Sequence, residues 1–324
     1  MTAYRRGVNI AGAEFGEDHL PGVHGRDFTY NSEDTFRYFC AKGLNLFRVC
    51  LRWERLQPEL RGPLDPGHTG CLRQNIEWAH KYGGQVIIDI HNFGRYGNFA
   101  IDNLYDARMR VSTRDFADLW TRLSAEFRGE PGVYAYGLMC EPHDLGEADW
   151  KTVSQTALAA IRDNGDSTLV LVPGDSWSSS ERWPEVHGPR GWIADPSGNF
   201  AYEAHEYFDA DHSGSYALSY DEELARDSGL PSIGRARLRP FTDWCAANGV
   251  RGFLGEYGVP DNDPRWLAVL DDFLDALDEA ALGGACWAAG EWWGDYPLSV
   301  QPRENFTLDR PQLAVLERHT GSSA

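Results

Sequence analysis

The sequence predicts one α/β domain, a closed (β/α)8 barrel of the TIM type. Three observations predict it. Eight short, β-rich apolar runs recur along the chain, longer segments of helical periodicity lie between them, and no linker or change of composition divides the 324 residues. Repeated strand-then-helix units close as a parallel barrel, and such barrels often exceed the usual domain size. The whole of 1–324 is therefore expected to form a single catalytic-type domain.

The eight runs are GVNIAG (7–12), LNLFRVCL (44–51), GQVIIDIH (84–91), VYAYGLMCE (133–141), STLVLVPG (167–174), NFAYEAHEY (199–207), RGFLGE (251–256) and GGACWAA (283–289). Each is short, apolar and bounded by turn residues, as buried strands of a parallel sheet are. Segments 33–43, 113–129, 150–165 and 263–281 carry apolar residues at helical spacing. The last of them opens with Asp263 as N-cap and Pro264 at the first helical position, and Gly43 and Gly165 stand where helices stop. Residues 175–198 read as one long βα loop.

Composition narrows the partners. A formal net charge of −19 argues against nucleic acid, which needs a basic footprint. Lysine occurs only at 42, 81 and 151, the other basic residues being arginine. No run of 18 apolar residues predicts a membrane span. The first 16 residues lack the apolar stretch and cleavage site of a secretory signal, so a cytoplasmic location is expected, or a secreted one if the sequence is a trimmed mature form. Cysteines at 40, 50, 71, 140, 245 and 286 form no CxxC, and free buried thiols are the expected state.

Chemistry in such barrels sits at the C-terminal ends of the strands. Those positions hold Arg48, His91 and Asn92, Glu141, Trp177, His205 and Tyr207, Glu256, and Trp287. Glu141 and Glu256 end otherwise apolar runs, where a lone carboxylate is costly. Two that converge make the pair that glycoside hydrolysis needs, one a proton donor and one a nucleophile or base. Trp177, Trp183, Trp287, Trp292 and Trp293 lie at or beyond strand ends, and indole faces suit the C–H faces of sugar rings.

In order along the chain, GVNIAGAEFG, FRVCLRWERLQP, DIHNFGRY, LMCEPHD, VPGDSWSSSERW, YEAHEYFDADHSG, FLGEYG and CWAAGEWWGDYPLSVQP resemble glycoside hydrolase family 5, a clan A family of retaining β-glycosidases, and most closely its cellulase-like subfamily. The resemblance implies that Glu141 is the acid/base and Glu256 the nucleophile. It implies that Arg48 and Tyr207 hold the nucleophile ionised, that His205 partners the acid/base, and that His91 and Asn92 contact sugar hydroxyls above Trp287. Trp177, Trp183 and Trp293 are expected to line the groove. The substrate is then an oligosaccharide or glycoside, and neither cofactor nor metal is expected: Cys140 and His143 alone are too few zinc ligands.

Three positions depart from the family pattern. Cys140 stands where it has asparagine, a donor to the 2-hydroxyl of the −1 sugar, and a thiol is a weaker donor. Gln301 stands where glutamate is expected, and Glu291 where proline is usual. Taken together they favour a non-standard or small soluble glycoside over the alternative, an endo-β-1,4-glucanase. A catalytically silent carbohydrate-binding barrel is the reading from another class. An open groove would favour endo action, and a pocket closed by 175–198 exo action.

Overall fold

The computed structural model describes residues 4–103 and 111–322. Its strands are β1 (Tyr4–Ile10), β2 (Leu46–Leu51), β3 (Gln85–Ile90), β4 (Val133–Gly137), β5 (Leu169–Pro173), β6 (Phe200–His205), β7 (Gly252–Glu256) and β8 (Gly283–Ala289). Each pairs in parallel with the next, and β8 pairs with β1, so the sheet closes into an eight-stranded barrel. A two-residue strand, Gly321–Ser322, runs antiparallel to the start of β1.

Besides two short helices, Trp53–Leu56 and Tyr220–Arg226, the helices are α1 (Glu33–Ala41), α2 (Pro66–Lys81), α3 (Thr113–Phe127), α4 (Trp150–Asp163), α5 (Trp183–His187), α6 (Ile233–Asn248), α7 (Pro264–Glu279) and α8 (Leu313–Leu316). Their starts follow local chemistry. Asp65 and Asp263 accept backbone N–H bonds at the N-termini of α2 and α7, each with Pro at the first helical position. Gly43 and Gly165 take φ of 81° and 71°, the left-handed stop expected of them. In α3, Phe116, Leu119, Trp120, Leu123 and Phe127 form the buried stripe against the barrel. Burying each such side chain contributes roughly 1.5–3 kcal/mol.

Alternation along the strands sorts the interior. In β2, Phe47, Val49 and Leu51 join the core between barrel and helices, which leaves Leu46, Arg48 and Cys50 for the barrel axis. One residue from each of β2 to β7 (Leu46, Ile87, Ala135, Leu171, Ala201 and Phe253) makes a separate apolar plug. Beyond the plug the interior is polar and charged: Asn9, Arg48, Asp89 and Glu203 are all fully buried. That layer is the floor on which the C-terminal rim stands.

Among the described residues no helix is long and apolar enough to cross a membrane. All six cysteines are free, with Cys50, Cys140, Cys245 and Cys286 buried.

Candidate active site

Glu256 is the last residue of β7, and both its carboxylate oxygens are held. Oε1 accepts from Arg48 Nη1 at 3.0 Å and Oε2 from the Tyr207 hydroxyl at 2.9 Å. The Cys140 thiol donates to Oε1 at 3.3 Å. The residue before Glu256 has to be glycine. A Cβ on Gly255 would stand 1.9 Å from Glu203 Oε1 and 2.7 Å from His205 Nε2. The sequence GFLGE thus carries both the carboxylate and the space for its neighbours.

Arg48 is the hub. Its Nη1 also donates to Asn9 Oδ1 at 2.8 Å, while Nη2 lies 2.9 Å from Asp89 Oδ1 and Nε 3.0 Å from Glu203 Oε1. The Asp89 and Glu203 contacts are ion pairs with poor hydrogen-bond angles; the Asn9 and Glu256 contacts are well aligned. One guanidinium thereby meets three buried carboxylates, a geometry suited to its planar fork and not to lysine. Burial alone would raise the Glu256 carboxyl. The His205 and Arg48 charges and the Tyr207 hydroxyl overcome it and hold the group well below the usual carboxylate range. Glu256 is therefore ionised and oriented before any ligand arrives.

Glu141 lies four residues past the end of β4, on a loop where it adopts φ 44°. Its Oε1 is 2.8 Å from His205 Nδ1, and the same nitrogen lies 3.8 Å from Glu256 Oε2. The two oxygens can be no farther apart than those two distances end to end. His205 Nε2 faces Glu203 Oε1 at 3.4 Å. Burial would push the imidazole down, but the Glu256, Glu141 and Glu203 carboxylates raise it to about 10. His205 is thus an imidazolium tying the two rim carboxylates together.

A cavity of about 560 Å³ opens over this pair, within the range of ligand sites. Glu141, His205, Tyr207 and Glu256 line it together with His91, Phe93, Trp177, Trp287 and Tyr296. The His91 ring lies parallel to Trp287 at 5.5 Å, and its Nδ1 is fixed by Asp89 Oδ2 at 3.0 Å. Trp177 is 45% exposed and stacks on His143 at 4.4 Å. It sits in a left-handed turn, Ser176–Ser178, with φ of 55°, 58° and 55°. Such backbone costs roughly 1–2 kcal/mol per residue, and here it presents an indole to solvent beside the acid.

Comparison with known proteins gives the arrangement its relatives. Cellulase (glycosyl hydrolase family 5) matches residues 4–292. The chain belongs to glycoside hydrolase family 5. Endo-β-1,4-glucanase B of Emericella nidulans is 33% identical over 317 residues, which cover 97% of this chain and 90% of that protein. The crystal structure of Pseudomonas stutzeri endoglucanase Cel5A is 36% identical with a TM-score of 0.90, covering 99% of this chain and 95% of that one. The same Pseudomonas protein has been solved with cellobiose, at a TM-score of 0.88 over 98% of this chain and 92% of that one.

In this glycoside hydrolase several expected sugar contacts lie elsewhere. Trp183 is not in the groove. It is fully buried in α5, against Tyr202, Phe241 and Trp244. The reason is the course of 175–198: only its first residues reach the cavity, and the remainder folds back against β6 and α6. Asn92 is likewise committed to the scaffold. Its Oδ1 accepts from the Trp53 N–H at 2.7 Å, and its Nδ2 donates to both Glu54 oxygens at 2.8 and 2.9 Å. Trp293 does not line the cavity; it stacks on Tyr296 at 4.4 Å and supports the Trp287 side, while Trp292 is 42% exposed. Arg48 and Cys140 are fully buried, and Cys140 lies beside the cavity residues Glu256 and His91.

The two remaining departures form one scaffold. Glu291 Oε1 accepts from Ser32 N, Ser32 Oγ and Thr35 Oγ1 at 2.8, 2.6 and 2.8 Å, at the start of α1. Gln301 Nε2 donates to the same Thr35 Oγ1 at 3.1 Å, and its Oε1 accepts from Gly290 N. A carboxylate and an amide share one threonine, so Glu291 and Gln301 bind a loop to a helix rather than reading a sugar.

Asp89 and Glu203, which complete the Arg48 cluster, escaped sequence reasoning. Their signal was present: Asp89 stands two before His91 and Glu203 two before His205, the same-face spacing of a strand. Phe93, Tyr296 and His212, which also line the cavity, lie on loops with no periodicity to mark them.

Proposed function

We propose that the protein is a retaining endo-acting β-1,4-glucanase in which Glu256 is the nucleophile and Glu141 the acid/base. The observation that carries this is the bridge at His205 Nδ1, 2.8 Å from Glu141 and 3.8 Å from Glu256. It caps the separation of those two oxygens at the sum of the two distances, which admits the ~5–5.5 Å of retaining enzymes and reaches only the lower edge of the ~6.5–9.5 Å of inverting pairs. Glu256 attacks the anomeric carbon while Glu141 protonates the departing oxygen, and Glu141 then draws a proton from water to release the sugar. Arg48 and Tyr207 keep the attacking carboxylate charged and aimed.

Endo action on β-1,4-glucan is favoured by the shape of the rim and by the relatives. An exposed indole, Trp177, lines the cavity beside Pro142. Ser176, Trp177, Ser179 and Arg182 of the loop at 175–198 line the cavity, while Trp183 beyond them packs against β6 and α6; we read this as a groove edge rather than the wall of an exo pocket. Endo-β-1,4-glucanases A and B of Emericella nidulans are matched over 86% and 90% of their length. The fully buried Cys140, bonded to Glu256, is a weaker donor than asparagine and supports a slower enzyme more than a different sugar.

The test is product stereochemistry on a soluble β-1,4-glucan oligosaccharide, with two variants. Retention is expected. Glu256→Ala should abolish turnover, with azide restoring an inverted product, and Glu141→Ala should spare the glycosylation step on substrates with good leaving groups. Inverted product from the parent enzyme overturns the assignment.

A further inference from the structure

The Cys140 thiol has a second set of neighbours besides its hydrogen bond. Ligand-type atoms of His91, Cys140 and Glu256 all lie within 4.8 Å of one another. Tetrahedral zinc bonds of ~2.0–2.3 Å place ligand atoms roughly 3.5 Å apart, so a contraction of about 1 Å completes the geometry. His91 is already set as a ligand. Its Nδ1 is engaged by Asp89 at 3.0 Å, the carboxylate–histidine arrangement that fixes the tautomer and leaves Nε2 free. His91 and Glu256 line the cavity, so a fourth position faces solvent, as in open metal sites. The local charge also favours a cation: four carboxylates, Asp89, Glu141, Glu203 and Glu256, gather around Arg48 and His205.

We propose that His91, Cys140 and Glu256 bind a thiophilic divalent cation of the Zn²⁺ class, which takes the place of the sugar and holds the enzyme reversibly inactive. As regulation, this rests on the reading of Glu256 as nucleophile; as a binding site it does not. The thiol carries the proton it donates to Glu256, so binding releases one proton to solvent: the S–H bond breaks and the S–metal bond forms, with no redox change. An asparagine at 140 offers no thiolate, so the site belongs to the departure from the family pattern.

The test separates binding from activity. The whole enzyme is titrated with Cd²⁺ alone and followed by the ultraviolet thiolate-to-metal charge-transfer band; Zn²⁺ is then titrated against hydrolysis of a β-1,4-glucan oligosaccharide. The expected result is a one-equivalent band that persists in Cys40→Ser and Cys71→Ser but is lost in Cys140→Ser. Inhibition should be competitive with the oligosaccharide and reversed by chelation. If Cys140→Ser does not fold, His91→Gln keeps the thiol and must weaken Cd²⁺ at least tenfold. A band intact in Cys140→Ser, untouched in His91→Gln, or lost instead in Cys50→Ser (which shares His91 in a neighbouring cluster) overturns the proposal. Hydrolysis without cation binding sinks the metal site alone, and cation binding without hydrolysis sinks the glucanase reading alone.

Discussion

Replacing Arg48 by methionine removes the one cation that three fully or nearly buried carboxylates share. Asp89, Glu203 and Glu256 stand at 2.9, 3.0 and 3.0 Å from its guanidinium, and Arg48 itself has no exposed surface. Removing one partner of a buried pair costs about 3–5 kcal/mol because the other charge is left uncompensated. With three partners stranded, Arg48→Met should lose about 4–5 kcal/mol at neutral pH, a large share of a domain's usual 5–15 kcal/mol. The pH dependence fixes the sign. In the parent, Glu256 is held below its unfolded value, so its contribution is present above that value and is lost as pH falls through the folded one. The variant lacks that contribution, so its deficit should be greatest near pH 7 and shrink on acidification below about pH 4, where carboxylates take protons anyway. Activity should fall by roughly 10- to 150-fold from the lost charge-assisted bond of ~1.5–3 kcal/mol to the nucleophile, and its acid limb should move to higher pH. Arg48→Lys should recover only part, since an ammonium cannot meet four acceptors at once. Urea denaturation at several pH values, with kcat/KM on an oligosaccharide, measures all of this. A variant of parental stability at pH 7, or a deficit that grows with acid, would refute the hub.

Cys140→Asn should raise kcat/KM on β-1,4-glucan oligosaccharides by about tenfold or more, because an amide restores a donor worth ~1.5 kcal/mol while still reaching Glu256; a rise on glucans accompanied by a loss on a non-gluco aryl glycoside would instead mark the thiol as a specificity device. Trp177→Ala should cost about five- to tenfold in kcat/KM on longer oligosaccharides, ~1–1.5 kcal/mol of stacking, with little effect on short aryl glycosides. Glu291→Ala removes three acceptor contacts at the start of α1 and should lower stability by about 1–2 kcal/mol, read as a drop in Tm. His187 is pushed down to about 3, by burial first and then by Lys151, so the unfolded chain takes a proton near pH 6.5 that the folded one refuses. Stability should therefore decline from about pH 6.5 towards 3, by on the order of 3–4 kcal/mol, and His187→Leu should remove that part of the decline in calorimetry.

What the sequence determined by itself is whatever repeats along one strand or helix. The eight apolar runs, their bounding turns, the Asp263-Pro264 start and the Gly43 and Gly165 stops follow from local chemistry, and each strand lies within a run or overlaps it. Parallel closure then puts strand ends on one rim, so Glu141 and Glu256 were legible although 115 positions apart in sequence. Tertiary structure decided what each side chain at the rim faces. Trp183 and Trp177 belong to the same loop, yet one is core and the other a platform, because the loop folds back on α6 between them. Cys140, Glu291 and Gln301 all depart from the family pattern, yet the first meets the nucleophile and the others meet Thr35 on α1. Asp89 and Glu203 share a strand face with His91 and His205 but become decisive only when β2 lies between β1 and β3 and its arginine reaches across the axis to β6 and β7. Spacing within a strand is fixed by the backbone's period of two. Distance across the barrel depends on closure, register and which way each loop folds, and no single stretch of sequence contains all three.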